Sequence, residues 1–203
     1  MRGDQRLVTG PEKARKRGRA RKRGRVSFLL RSFVDPIREL RGHYDLIVFD
    51  CPPRLSLVSF AALCASDFVI VPLEAADWGA QGIRQVTAAI DYVRAHFNST
   101  LQLLGYLVSR FKRARAYQQS YLTQLRSHFG AKTFDTVIPD LAQFERSVTD
   151  AVLITRHAPA SRAARIAREF FDEVVRRCAR LGEGAAELVR TQPVQMRALT
   201  SPG

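Results

Sequence analysis

The sequence predicts an α/β fold, a mostly parallel sheet with flanking helices. Three observations lead there. Apolar runs of strand length at 44–49, 68–73, 103–108 and 134–138 alternate with segments of helical periodicity, the pattern of stacked βαβ units. The run after Asp45 is continuously apolar, as in a strand buried on both faces of a parallel sheet. The chain has 203 residues, 46% of them hydrophobic, which supplies one core and excludes a wholly disordered protein.

The charge is not spread over that core. The formal net charge is +14, and residues 1–26 alone hold eleven basic side chains against two acids. They include a direct repeat, A-R-K-R-G-R at 14–19 and again at 20–25. Like charges at this density repel, and almost no apolar surface is available to bury, so a disordered basic arm is expected over 1–26. Such an arm contacts phosphates and has no aromatic residue for base stacking. A second reading makes the repeat a mis-called start or a frame shift.

The elements follow in order from residue 27. Ser27 to Leu40 has helical spacing (Phe28, Leu29, Phe33, Ile37, Leu40), with Asp35-Pro36 as a kink or restart. Tyr44 to Phe49 is a strand, Leu55 to Ser66 a helix and Phe68 to Leu73 a strand. Gly79 to Phe97 is an amphipathic helix with Ile83, Val86, Ile90, Val93 and Phe97 on one stripe. Leu103 to Val108 is a strand and Ala114 to Phe129 a helix stopped by Gly130. Phe134 to Ile138 is a strand closed by Pro139. Leu141 to Thr149 and Ser161 to Leu181 are helices, and a flexible tail is expected over 182–203, which contains Gly184, Pro193 and Pro202.

Several chemistries find no pattern here. Cys51, Cys64 and Cys178 are odd in number and far apart, which supports neither a disulfide framework nor a zinc knuckle and suits a reducing cytoplasm. The histidines (His43, His96, His128, His157) lack metal-ligand spacing. The longest mostly apolar stretch, Leu55 to Ala65, is too short to span a bilayer, and no apolar run before Val26 suggests a signal peptide.

The most informative segment is Y-D-L-I-V-F-D-C-P-P, residues 44–53. An apolar strand ending in an acid places a carboxylate at the sheet's carboxyl edge, where α/β proteins bind ligands. There Asp50 would stand beside Mg²⁺, directly or through water, with Pro52 and Pro53 stiffening the following loop. A strand-end Asp also caps helices, so the residue alone leaves both roles open.

This segment resembles the Walker B and switch II pattern of the ParA/MinD deviant Walker ATPases, in their ParA/Soj branch. A-S-D-F-V-I-V-P-L-E (65–74), G-A-Q-G-I (79–83), L-L-G-Y-L-V-S-R (103–110), F-D-T-V-I-P (134–139) and P-A-S-R-A-A (159–164) resemble family segments in family order. The resemblance covers about residues 28–180. It implies a P-loop NTPase-like fold and a ParA-like domain over 27–181. It also implies ATP and Mg²⁺ as cofactors, with Asp50, Cys51, Pro52 and Pro53 at the switch and Asp50 at the metal. Ser109, Arg110 and Asp140 are implied at the base.

The resemblance further implies ATP-dependent dimerisation, non-specific DNA binding in plasmid or chromosome partition, a ParB-like stimulating partner, and a cytoplasmic, nucleoid-associated location. The chain departs from the family in one respect: no G-K-[ST] occurs anywhere in it, and the Walker A lysines and switch I aspartate have no counterpart. An N-terminally truncated ParA-like domain is therefore expected. One edge of the 46–49 strand would then be exposed, favouring self-association or pairing with a full-length relative.

Two basic groups are DNA candidates: Arg110, Lys112, Arg113 and Arg115 before one helix, and Arg162, Arg165, Arg168 and Arg176, with Arg177 and Arg180, on the last. A competing reading makes the chain a non-catalytic DNA-binding or regulatory module. A MinD-like membrane-positioning role is disfavoured, because 183–203 contains Pro193 and no sustained amphipathic helix.

Overall fold

The computed structural model describes residues 30, 32–52, 56–74 and 79–191. The expected basic arm, Pro53 and residues 192–203 lie outside the described residues. The chain divides into two compact units, Met1–Ser66 and Asp67–Gly203.

In the first unit, helix α1 (32–40) continues through Asp35-Pro36 without a break. Helix α2 (Leu57–Ala65) is set by serines at both ends. At its start the Ser59 N–H donates to Ser56 Oγ (3.2 Å), and beyond its end Ser66 Oγ donates to the Ala62 carbonyl (2.7 Å). Arg41 Nη2 donates to the Ala65 carbonyl (3.0 Å), so the helix's last carbonyls have partners.

Between these helices, residues 46–50 do not form the doubly buried strand that the apolar run predicts. Among the described residues no strand pairs with them. Ile47 and Phe49 are half-buried, with Phe49 against Phe33 at 5.5 Å between ring centroids. Leu46 is 50% exposed and Val48 77%. An apolar run becomes a two-faced buried strand only where neighbours cover both faces, and here one face is covered. An extended apolar segment with free backbone groups is a template for pairing. The chain is therefore expected to run larger than its 22.9 kDa monomer in light scattering at micromolar concentration. Val48→Lys should shift it towards monomer. A sharp monomer peak with a cooperative melt for the unaltered chain contradicts this.

The second unit is built on β1 (Phe68–Glu74), α3 (Gly79–His96) and β2 (Gln102–Ser109). The two strands pair in parallel from Phe68↔Gln102 to Glu74↔Ser109, with one irregularity between Val69 and Ile70. α3 buries Ile83, Ile90 and Val93 as its stripe predicts. Phe97, assigned to the same stripe, follows the last helical residue and is 46% exposed, clustered with Tyr92 and His96. In β2, Leu104, Tyr106, Leu107 and Val108 are all buried, as in a strand covered on both faces.

Helix α4 (Ala116–Phe129) stops at Gly130, whose φ of 49° suits glycine and whose N–H reaches the Arg126 carbonyl. A 3₁₀ turn follows (Gly130–Lys132). The strand predicted at 134–138 is then reduced to two isolated parallel bridges, Tyr106↔Thr133 and Phe111↔Pro139. The Phe134 N–H donates to the Tyr106 carbonyl and the Ile138 N–H to the Val108 carbonyl (both 2.9 Å), but the ladder breaks between them. At the break, the N–H groups of Asp135 and Thr136 turn to the carboxylate of Glu173 (2.9 and 2.8 Å). Gly105 allows this close approach: a Cβ there would lie 2.8 Å from the Lys132 carbonyl oxygen and from Phe134.

Helices α5 (Ala142–Thr149), α6 (Ile154–His157) and α7 (Arg162–Thr191) complete the unit. The short α6 is absent from the sequence-based expectation. α7 starts at Ser161, whose Oγ accepts from the Ala164 N–H (3.1 Å). It also runs ten residues beyond its expected end, from Leu181 through Gly182 and Gly184 to Thr191. Each glycine costs about 1 kcal/mol in a helix, but the intervening Ala, Glu, Leu and Arg are strong helix formers. The core joins Leu104, Leu107 and Phe134 to Phe68, Ile70, Ile138, Phe170, Val174, Cys178 and Leu181. No helix among the described residues is long and apolar enough to cross a membrane.

Candidate functional site

The carboxyl edge of the second unit's sheet gathers polar groups from three neighbouring segments. Glu74 ends β1, Ser109 ends β2, and Asp140 follows Pro139. Ser109 Oγ donates to the Leu73 carbonyl (3.4 Å), which ties the two strand ends together. Arg110 then turns sharply, with φ at 50°, a left-handed conformation rare outside glycine that costs of order 1 kcal/mol. The turn brings its guanidinium 3.8 Å from Glu74, an exposed pair that contributes little stability.

Lys112 reaches across to Asp140, Nζ to Oδ2 at 2.9 Å. The Lys112 hydrogen bond, opposed by desolvation and helped by the charges of Lys112, Arg110 and Arg115, holds the Asp140 carboxyl below the usual aspartate range. Lys112 is itself fixed by its N–H donating to Oε1 of the buried Gln118 (2.6 Å). Arg115 donates to Tyr117 Oη (3.0 Å), and Arg113 is exposed. Ser109, Arg110, Lys112, Arg115 and Asp140 are thus brought into one neighbourhood. The first turn of α4, which follows directly, holds no acid, so its positive helix end adds to a field that attracts anions.

Asp50, Cys51 and Pro52 lie in the first unit, and all three are exposed. Slight burial and the neighbouring Asp50 charge raise the Cys51 thiol above its ordinary pKa. Among the described residues no group of three or more His, Cys, Asp or Glu stands close enough to hold a metal ion. One exposed carboxylate suits Mg²⁺, which commonly takes one or two protein carboxylates and fills its remaining positions with water and substrate phosphates. Asp50 is one carboxylate of the type that the metal side of a magnesium–nucleotide site uses. The sequence includes no glycine-rich phosphate cradle.

The last helix splits the arginine series. Arg162, Arg165, Arg168, Arg176 and Arg180 are exposed, interspersed with Glu169 and Asp172. Arg165 lies 3.7 Å from Glu169, and Arg168 donates to the Pro159 carbonyl (3.1 Å). Arg177 does not share this surface: it is 6% exposed. Its Nε donates to Glu173 (2.9 Å), and its two Nη atoms donate to the carbonyls of Leu104 (3.3 Å), Ala131 (2.7 Å) and Thr133 (2.8 Å). Nη2 also stands 2.8 Å from Glu173, and the guanidinium lies 4.3 Å from the Phe134 ring centroid.

Burial pushes the Glu173 carboxyl up, but hydrogen bonds from Thr136, Asp135 and Arg177 outweigh it and hold the group below its ordinary pKa. Sequence reasoning missed this pair. The available signal was spacing: Glu173 and Arg177 are four apart and fall on the same helical stripe as Ile166 and Phe170. A charged pair on an apolar stripe points to a buried salt bridge.

Known proteins match about two thirds to three quarters of the chain. A family described as an AAA domain matches residues 21–103. The chain is 37% identical over 134 residues to the chromosome-partitioning ATPase Soj of Thermus thermophilus, covering 66% of this chain and 54% of that one. Cobyrinic acid a,c-diamide synthase from Mycobacterium smegmatis, solved with an ATP analogue and magnesium, superposes with a TM-score of 0.58 at 26% identity. That match covers 71% of this chain and 54% of the other. The cell division ATPase MinD of Pyrococcus furiosus shares the fold, with a TM-score of 0.55 at 16% identity over 75% of this chain and 59% of that one. The chain spans about half the length of the Soj relative it matches. Motif order, the α/β fold with its parallel strands and these likenesses agree: the chain belongs to the ParA/MinD family.

Proposed function

We propose that the chain acts as a ParA-like partition protein that binds nucleotide with Mg²⁺ and binds DNA without sequence preference. One observation carries the reading most directly: Asp50 is an exposed carboxylate directly after the apolar 46–49 segment, in the family's Walker B pattern. Asp50 would hold Mg²⁺ through one oxygen or through water. The metal's chemistry, when it is bound, is to neutralise phosphate charge. Ser109, Arg110 and Asp140 would receive the base. The exposed arginines of α7 (Arg162, Arg165, Arg168, Arg176) and the Arg110, Lys112, Arg113, Arg115 group would meet DNA phosphates. A ParB-like stimulating protein, a second copy or a full-length relative, and a cytoplasmic place on the nucleoid complete the reading.

Hydrolysis is not assigned to these residues, because the sequence holds no G-K-[ST] segment. The same fact favours a second reading, a non-catalytic DNA-binding or regulatory module. Titration with a fluorescent ATP analogue and Mg²⁺ separates the two. The first reading expects micromolar binding that Asp50→Ala weakens by roughly tenfold or more, with an unchanged melt because Asp50 is exposed. Absence of binding by the unaltered chain supports the module.

A further inference from the structure

The 133–140 segment is held in two different ways along its length. At its far end it follows β2, with the Ile138 N–H on the Val108 carbonyl (2.9 Å), the Phe111 N–H on the Ile138 carbonyl (3.1 Å) and the Asp140 N–H on the Phe111 carbonyl (3.1 Å). In the middle, where it leaves the ladder, α7 replaces the missing strand contacts. Glu173 takes the two N–H groups at 135 and 136, and Arg177 takes the carbonyls at 131 and 133 as well as that of Leu104 in β2. One guanidinium therefore ties together β2, the turn after α4 and the start of the segment. Both side chains are buried, so water does not substitute for either partner.

We propose that Glu173 and Arg177 are positioning residues: they fix the register of the 133–140 segment against β2, and thereby where Asp140 stands beside Lys112 at the sheet's carboxyl edge. The part of this proposal that concerns a nucleotide base rests on the reading that Asp140 meets one there. The part that concerns position does not. The break in the ladder is the point at which the segment could slide, since β2 supplies no hydrogen bond to the N–H groups at 135 and 136 and the carboxylate supplies both. A guanidinium fork has the planar shape to bind several carbonyls at fixed angles, which an ammonium lacks. Loss of the two carboxylate bonds would leave the register of the segment to the backbone bonds at 134, 138 and 140 alone, and Asp140, which meets Lys112 Nζ, stands at the last of them.

The test uses the full chain with Glu173→Gln and, as a second and milder variant, Arg177→Lys. The side-chain carboxyl of Asp140 is titrated by carbon-13 NMR in each, beside a thermal melt. The charged groups acting on Asp140 are Lys112, Arg110 and Arg115, and none is altered. Both variants are expected to keep a cooperative melt and to move the Asp140 titration up towards the ordinary aspartate range. Lys112→Ala gives the full upward shift for comparison. A lowered melting temperature with an unmoved Asp140 titration overturns the proposal and makes the pair a brace only. If Glu173→Gln does not fold, the same two outcomes are read from Arg177→Lys.

The base is probed with fluorescent adenine and guanine nucleotide analogues. A changed ratio of the two affinities in the variants supports the link to the base. An unchanged ratio with a shifted Asp140 overturns that link alone. Absence of nucleotide binding by the unaltered chain overturns the base reading and leaves the positioning claim to the NMR result.

Discussion

Arg177→Ala is expected to lower the unfolding free energy by about 3–5 kcal/mol, the usual cost of removing one partner from a buried ion pair. Total stability is typically about 5–15 kcal/mol, so this is a large fraction of it. Three losses combine. Glu173 is left as a buried charge without its cation. The carbonyls of Leu104, Ala131 and Thr133 lose their donor, and a cavity opens beside Phe134. For a chain of this size the melting temperature should fall by about 10 °C.

Glu173 adds a pH signature. Its carboxyl is held below the ordinary value of 4.5 in the folded state, so its contribution to stability is fully present above that value. The contribution is lost as pH falls through the lower folded value. Without Arg177 the depression shrinks, and the acid limb of the stability profile should flatten. Denaturant melts between pH 3 and pH 7 on the unaltered chain and Arg177→Ala measure both effects. A change below 1 kcal/mol would mean that the pair is not buried in solution as the structure has it.

The second large effect is on DNA. Replacing Arg162, Arg165, Arg168 and Arg176 together by alanine removes four exposed cations from one helix. If each meets a phosphate, the slope of log K against log salt should flatten by about 3.6. Affinity at 0.1 M salt should fall on the order of a thousandfold. Exposed arginines carry little of the fold, so the melt should stay within about 0.5 kcal/mol of the unaltered chain. Fluorescence anisotropy of a labelled duplex across a salt series reads the slope. An unchanged slope removes α7 from the DNA surface and leaves the Arg110 to Arg115 group as the candidate.

Periodicity and stop residues carried much of the fold. β1, α3, β2 and α4 follow from apolar spacing, and the Gly130 stop follows from its backbone freedom. Sequence misled wherever a distant partner decides the outcome. The 134–138 run has strand composition, but a carboxylate from α7 takes two of its N–H groups, and no local pattern announces that. The 46–49 run has the composition of a doubly buried strand, and composition does not say which neighbours cover it.

The site divides in the same way. Asp50 is proposed from a local motif, an acid that ends an apolar run and is followed by Cys-Pro-Pro, and the structure shows it exposed. Arg177 was legible only through its spacing from Glu173 on an apolar stripe, a signal masked by the surrounding arginine series, and the carbonyls it meets are not local. The neighbourhood of Lys112 and Asp140 was half legible. The two residues were singled out separately, and their 2.9 Å contact depends on Pro139 bridging to Phe111.

DNA binding through the folded domain, as proposed, has one direct rival. Residues 1–26 hold a net charge of +9 and are the strongest competitor for that role. The direct measurement is retention on a duplex of arbitrary sequence across a salt series, comparing the whole chain with one lacking residues 1–26. Salt-dependent binding that survives the deletion, and is then lost when the four α7 arginines are replaced, is the predicted result. Complete loss of binding on deletion of the arm would contradict it.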